Sequence, residues 1–164
     1  MYPTNHCPSS IRRRALINEY ISHHNESTRM MTRKVIRPGL TGVVASAKNP
    51  GNLSPSRTHS LSRSPDDLMK LKSTIRDVSK RFQHKFLVNS RESSDFIVGD
   101  TVSIADLLAY PELAQIPQLL GIDYGEWNEL EALRRWLDRM AKLPHHDDVH
   151  RTVSKLGKLY QSKL

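Results

Sequence analysis

His146 and His150 stand four residues apart, so on a helix they share one face, the spacing with which proteins hold a metal pair. His145, Asp147 and Asp148 crowd beside them. A stable zinc site wants a third ligand, and no metal is expected here. Ser103 and Asp106 are a second candidate pair, a hydroxyl and a carboxylate three residues apart. No histidine at fixed local spacing completes a triad, and both side chains are better used in capping a helix, so no catalytic residue is assigned. Cys7 beside His6 is a thiol next to an imidazole, for which a peripheral role is expected. The stretch Ser54 to Pro65 interleaves Ser and Pro with Arg57 and Arg63. A phosphate there would meet arginines and form charge-assisted bonds; the simpler reading is a solvated surface loop.

The elements that carry these residues are helical almost throughout. From Ile11, the residues Ile17, Tyr20, Ile21, His24, Thr28, Met31 and Val35 recur three and four apart, one apolar stripe. Ser9 or Ser10 can cap it and Pro38-Gly39 ends it. Residues 39–63 have no period and are rich in Gly, Ser, Pro and Asn, which predicts a flexible loop with room for a short helical piece at Val43–Ala47. A second helix opens at Ser64-Pro65-Asp66-Asp67, with a capping serine, proline at the first position and acids where the macrodipole favours them. Leu68, Leu71, Ile75, Val78, Phe82 and Phe86 follow at helical spacing, and residues 88–102 form another loop.

Ser103-Ile104-Ala105-Asp106 is a capping box, flanked by Val102 and Leu107 at the two positions of a hydrophobic staple. Pro111 is expected to kink or restart this third helix, Pro117 to limit it and Gly121 to end it. A fourth helix places Trp127, Leu130, Leu133, Leu137 and Met140 on one stripe with Trp136 flanking; a fifth opens at Pro144 with Val149, Val153, Leu156 and Tyr160 inward. The pattern predicts an all-α bundle of about five helices.

The chain has 164 residues, enough for one core and short for two. No apolar run approaches the ~18 residues of a membrane span. The amino terminus lacks the basic and apolar stretches of a secretory signal. A single cysteine excludes an internal disulfide, and the cytoplasm is the expected compartment. The net charge of +8 is uneven: residues 1–91 hold 17 basic and 5 acidic side chains, residues 92–164 hold 8 and 12. Such a division can steer an anionic partner. No aromatic side chains interleave with the basic runs, so nucleic acid is not an expected partner.

The run Phe96-Ile97-Val98-Gly99-Asp100-Thr101-Val102-Ser103-Ile104-Ala105-Asp106-Leu107 resembles the carboxy-terminal domain of cytosolic glutathione transferases, where an F-[LI]-x-G turn precedes an S-[IL]-A-D capping box. Tyr2-Pro3 followed by Arg12 to Ile21, Ser22-His23-His24-Asn25 with Arg29, Leu133 to Leu137, and Pro144 to His150 are similar to segments of the theta-like branch. The resemblance covers about residues 2–160. It implies that residues 1–9 resemble an interdomain linker, that residues 10–164 are the helical domain, and that Met1 falls where the linker lies.

That family places a thioredoxin-like domain ahead of this one, which binds glutathione and activates its thiol. No βαβ pattern precedes Met1, so no cofactor is expected of this chain, and glutathione enters as co-substrate where such a domain is supplied. The resemblance makes His24 and Arg29 candidates for the hydrophobic-substrate pocket, with a solvated or interface role as the simpler reading. It implies a hydrophobic electrophile and a homodimer or partner protein met through the first two helices. The alternative is a non-catalytic interaction module, similar to those in translation-factor and aminoacyl-tRNA-synthetase assemblies, which an exposed apolar patch on those helices would favour.

Overall fold

A computed structural model describes residues 10–30, 32–36, 65–88 and 95–161. Helix α1 (Ile11–Glu26) is followed, after a turn at Ser27, by further helical residues at 28–30 and 32–36. Helix α2 (Pro65–Phe82) widens into a π turn over Gln83–Val88. Helix α3 (Ile104–Leu120) is followed by two 3-10 turns, Tyr124–Glu126 and Asn128–Leu130. Helices α4 (Glu131–Ala141) and α5 (His146–Gln161) complete the order. No strand occurs among the described residues, and the fold is the expected all-α bundle. The loop 39–63, Ser64, residues 54–64 of the Ser/Pro/Arg stretch and Cys7 lie outside the described residues.

Helix α3 runs through the middle. Ala105, Ala109 and Leu113 are fully buried along it, with α1 packed on one flank and α5 on another. Small side chains let neighbouring backbones approach, while bulk comes from facing helices. Tyr20 of α1, Phe82 and Phe86 of α2, Trp136 of α4 and Tyr110 of α3 form one aromatic cluster, with ring centroids 4.9–6.3 Å apart. Trp136 is the largest fully buried side chain. The fourth helix therefore turns Trp136 inward rather than leaving it beside the stripe, and its first turns, around Trp127 and Leu130, are 3-10 rather than α.

Helix α3 runs on through both prolines, with no restart at Pro111. A proline removes the amide that would bond the carbonyl four residues before it. For Pro117 that carbonyl is Leu113, and the buried Tyr124 hydroxyl donates to it at 3.0 Å. For Pro111 it is Leu107, whose side chain stands 52% exposed on a face water can reach. Gly121 then ends the helix as expected, at φ 65°, with its amide on Pro117 O at 3.0 Å.

The long first stripe is two helical runs, not one. At Ser27 the backbone leaves helical geometry, and both its amide (3.0 Å) and its hydroxyl (2.8 Å) donate to His23 O. A serine side chain competing for a helix carbonyl is a known way to end a run. The buried set nonetheless keeps its register across the break: Ile17, Tyr20, His24, Thr28, Thr32 and Val35. Ser10 is the cap of α1, its hydroxyl accepting from Arg13 N at 3.1 Å.

Helix α4 has no capping side chain of its own. Gln83, on the π turn of α2, supplies one: its Oε1 accepts from Leu133 N at 2.9 Å and its Nε2 donates to Glu129 O at 2.7 Å. This satisfies an amide that a helix start otherwise leaves without a partner. Lys72 pairs with Glu126 at 2.7 Å, and Arg76 and Lys80 both reach Glu129, so basic α2 is tied to the acidic turns before α4. Helix α5 begins at His146 rather than Pro144, and its inward stripe is His146, His150, Val153 and Gly157. Val149 (74% exposed) and Leu156 face solvent instead of the core.

Candidate functional site

The amino end of α3 is set by a turn and a cap. Phe96 N donates to Gly99 O at 3.1 Å across a turn whose Gly99 sits at φ 77°, a region that suits a residue without Cβ. The turn aims the Ile97 amide at Asp106 Oδ1, 2.8 Å away. Ser103 and Asp106 form the capping box, with the Ser103 amide (2.9 Å) and hydroxyl (2.7 Å) both donating to Asp106 Oδ2. Trp136 Nε1 closes the set on Oδ1 at 2.9 Å. Four donors therefore converge on one fully buried carboxylate, drawn from the loop, the cap and α4. Such a group acts as an acceptor only, and the Ser103 proton is already committed to it. The arrangement holds three chain segments together and offers no activated nucleophile. Val102 is partly buried against the core beside it, while Leu107 stands half in solvent.

His24 and Arg29, the substrate-side candidates, lie in one polar seam between the first helical runs and α3. His24 is buried, and its Nδ1 is 3.1 Å from the Tyr20 hydroxyl. Burial holds its pKa below the ordinary histidine value; Arg29 pushes the same way and Glu112 opposes. The ring is thus favoured neutral, with Tyr20 donating to Nδ1 and the proton on Nε2. Burial also raises the Tyr20 phenol, which keeps its proton.

Glu112, on the facing side of α3, gathers the rest of the seam. It accepts from the buried Thr32 hydroxyl and from Gln115 Nε2 at 3.1 Å, and it stands 3.9 Å from Arg29 Nε. Arg29 is 56% exposed against 18% for Glu112. The seam consequently presents an arginine at its mouth and a carboxylate behind it, with His24 too deep to touch a ligand. This can hydrogen-bond a polar substituent; it activates no attacking group. Neither Glu112 nor Thr32 carries a sequence signal, because each is polar on a face that periodicity alone assigns to a helix surface.

His146 and His150 do come together, as their spacing requires. Their rings stack at 4.6 Å with an interplanar angle of 21°, and both meet Tyr110 of α3. Stacked rings do not converge their nitrogens on one point. No group of three or more metal-ligating side chains occurs among the described residues. Tyr110 is the partner the sequence did not announce. A shallow cleft of about 240 Å³ beside this pair is lined by Leu143, His145, His146, Asp147 and Asp148.

No described helix is long and apolar enough to cross a membrane. Residues 58–144 match the family described as "Glutathione S-transferase, C-terminal domain". The chain is also similar to glutathione S-transferase theta-1 of Gallus gallus, 30% identical over 148 residues. That alignment takes in 85% of this chain and 46% of the relative, so the chain spans about half the relative's length. The matched region contains the Phe96–Gly99 turn, the Ser103–Asp106 box and Trp136, the groups that converge at the start of α3. On that match the chain belongs to the glutathione S-transferase family, whose carboxy-terminal helical domain it carries.

Proposed function

We propose that the chain is the electrophile-side domain of a theta-like glutathione transferase. The observation that carries this reading is the 30% identity to a theta-1 enzyme along 148 residues. In that reaction a glutathione thiolate attacks an electrophilic carbon. The work divides into activating the thiol and holding the electrophile within reach. The helical domain does the second, with Arg29 and Glu112 at the polar seam orienting a substituent of a hydrophobic substrate. The first belongs to a thioredoxin-like domain that binds glutathione. The purified 164-residue chain is accordingly expected to show no conjugation of a chromogenic aryl halide. The proposed compartment is the cytoplasm.

A chimera tests this reading: the amino-terminal half of the chicken theta enzyme joined ahead of this chain. Saturable turnover that changes on Arg29→Ala is the expected result. A chimera that folds and binds glutathione yet conjugates nothing would overturn it.

A second reading, a non-catalytic interaction module, is favoured by one observation. Ile11 and Leu16 on α1 and Leu68 and Met69 on α2 are apolar and exposed, Ile11 by 78% and Met69 by 68%. Apolar side chains in solvent on the first two helices suit either a homodimer or a partner protein. Sedimentation velocity separates them. Self-association that strengthens with salt supports the dimer, because screening weakens the repulsion of the basic half and leaves apolar burial intact.

A further inference from the structure

The α3–α5 contact holds two imidazoles that the conjugation chemistry does not use. His146 Nδ1 lies 2.9 Å from Asp147 Oδ1, and its Nε2 lies 2.8 Å from the Tyr110 hydroxyl. A carboxylate accepts, so Nδ1 carries a proton; in the neutral ring Nε2 is then the lone pair that receives the Tyr110 proton. His150 is 8% exposed, stacked on His146 and edge-on to Tyr110 at 5.0 Å and 89°. The charged and titratable groups around the pair are few. Tyr110 faces it from α3, and Asp138 of α4 acts on Tyr110. From α5 and its entry come Asp147, bonded to His146, and Asp148, engaged by Arg151 and near His145. Among the described residues, one carboxylate therefore serves His146 and none is bonded to His150.

We propose that the His146–His150 stack on Tyr110 is an acid-sensitive latch, which holds the amino-terminal half of α5 on α3 at neutral pH and releases it when His150 takes a proton. A proton on His150 places a charge on a buried ring that has no bonded acid and lies stacked 4.6 Å from His146. Beside the two rings, that half of the helix is held by the partly buried Val153; Val149 is exposed, and the close backbone contact of Gly157 with Gln118 lies two turns beyond His150. The direction of His150 agrees, since burial first and His146 second hold its pKa below the ordinary value. The released ring binds a proton near pH 6.5 and the docked ring only at lower pH. Docking is thus complete above pH 6.5, weakens as pH falls through that value, and levels off at the lowered docked pKa.

Amide exchange by NMR on the full chain at pH 7.5, 6.5 and 5.5 tests this. The ratio of protection in α5 to that in α4, which holds no histidine, is expected to fall by up to about tenfold per pH unit below 6.5. His150→Phe keeps an aromatic ring in the stack and should make the ratio independent of pH. Tyr110→Phe keeps the ring and should lower the ratio already at pH 7.5. A wild-type ratio that does not change with pH, or a His150→Phe variant that keeps the wild-type fall, overturns the latch. If the variants do not fold, the wild-type imidazole titration decides: a His150 pKa at or above the free value overturns it equally.

Discussion

Two buried polar clusters sit on α3 within two turns of each other, and they are built on opposite principles. At its start, Asp106 is met by four donors from three segments, with every bond between 2.7 and 2.9 Å. Around Tyr110, two imidazoles share one phenol and one carboxylate, and the ring stack leaves His150 without an acidic partner bonded to it. The first cluster spends its polarity on satisfaction; removing any donor leaves the acceptor less paired in a dry site. The second leaves a buried imidazole, His150, stacked on another with no acid bonded to it. A buried polar group can therefore fix a fold or make it conditional, and the number of committed partners decides which.

The largest effect expected from breaking this contrast comes from Asp106→Ala. It leaves four donors without an acceptor in a fully buried site, and a loss of about 3–5 kcal/mol in urea unfolding at neutral pH is expected. A loss near 1 kcal/mol would reduce the cluster to an ordinary cap. Gly157→Ala comes next: a Cβ there would stand 2.3 Å from Gln118 O, a backbone atom, so α5 must shift. About 1–3 kcal/mol of stability, with exchange faster in α5 than in α1, is the expected reading. Thr32→Val removes the hydroxyl bonded to Glu112 and should cost about 1–2 kcal/mol by thermal melting. Ser103→Ala should cost about 1 kcal/mol, less than Asp106→Ala, because Ile97 and Trp136 keep their acceptor. Glu129→Gln should be the smallest. Its carboxyl is held down at about 2, by its own backbone amide first and then by Arg76 and Lys80, but the group is solvent-screened and its melting temperature should barely move.

Much of the fold was legible along the chain because helices write themselves locally. The Ser103–Asp106 box, the Pro65 start of α2, the Gly121 stop and the apolar spacing of Ile75, Val78, Phe82 and Phe86 all act within one or two turns. The errors came where a distant group reset a local preference. Pro111 allows a restart and Pro117 a limit, yet the helix runs through both to Leu120, with the Tyr124 hydroxyl on Leu113 O and Leu107 open to solvent where the proline amides are missing. Val149 and Leu156 read as core, but α5 turns His146, His150 and Gly157 toward α3, Gly157 lying close to Gln118 O. Of the site, His24 and Arg29 were candidates through the family resemblance; the roles of Tyr20, Thr32 and Glu112 that give them their setting were not legible.

The sequence by itself determined which segments are helical, where α3 is capped and that His146 and His150 share a face, since each follows from the covalent spacing of neighbours. Only the tertiary structure decided what each cap and ring would bond. Asp106 became a four-donor hub through Ile97 and Trp136, α4 took its cap from Gln83 on another helix, and Tyr110 arrived edge-on to both imidazoles. The physical reason is reach. A helix fixes the relations of residues three and four apart, whereas a hydrogen bond is made within about 3 Å of whatever side chain packing delivers from anywhere in the chain.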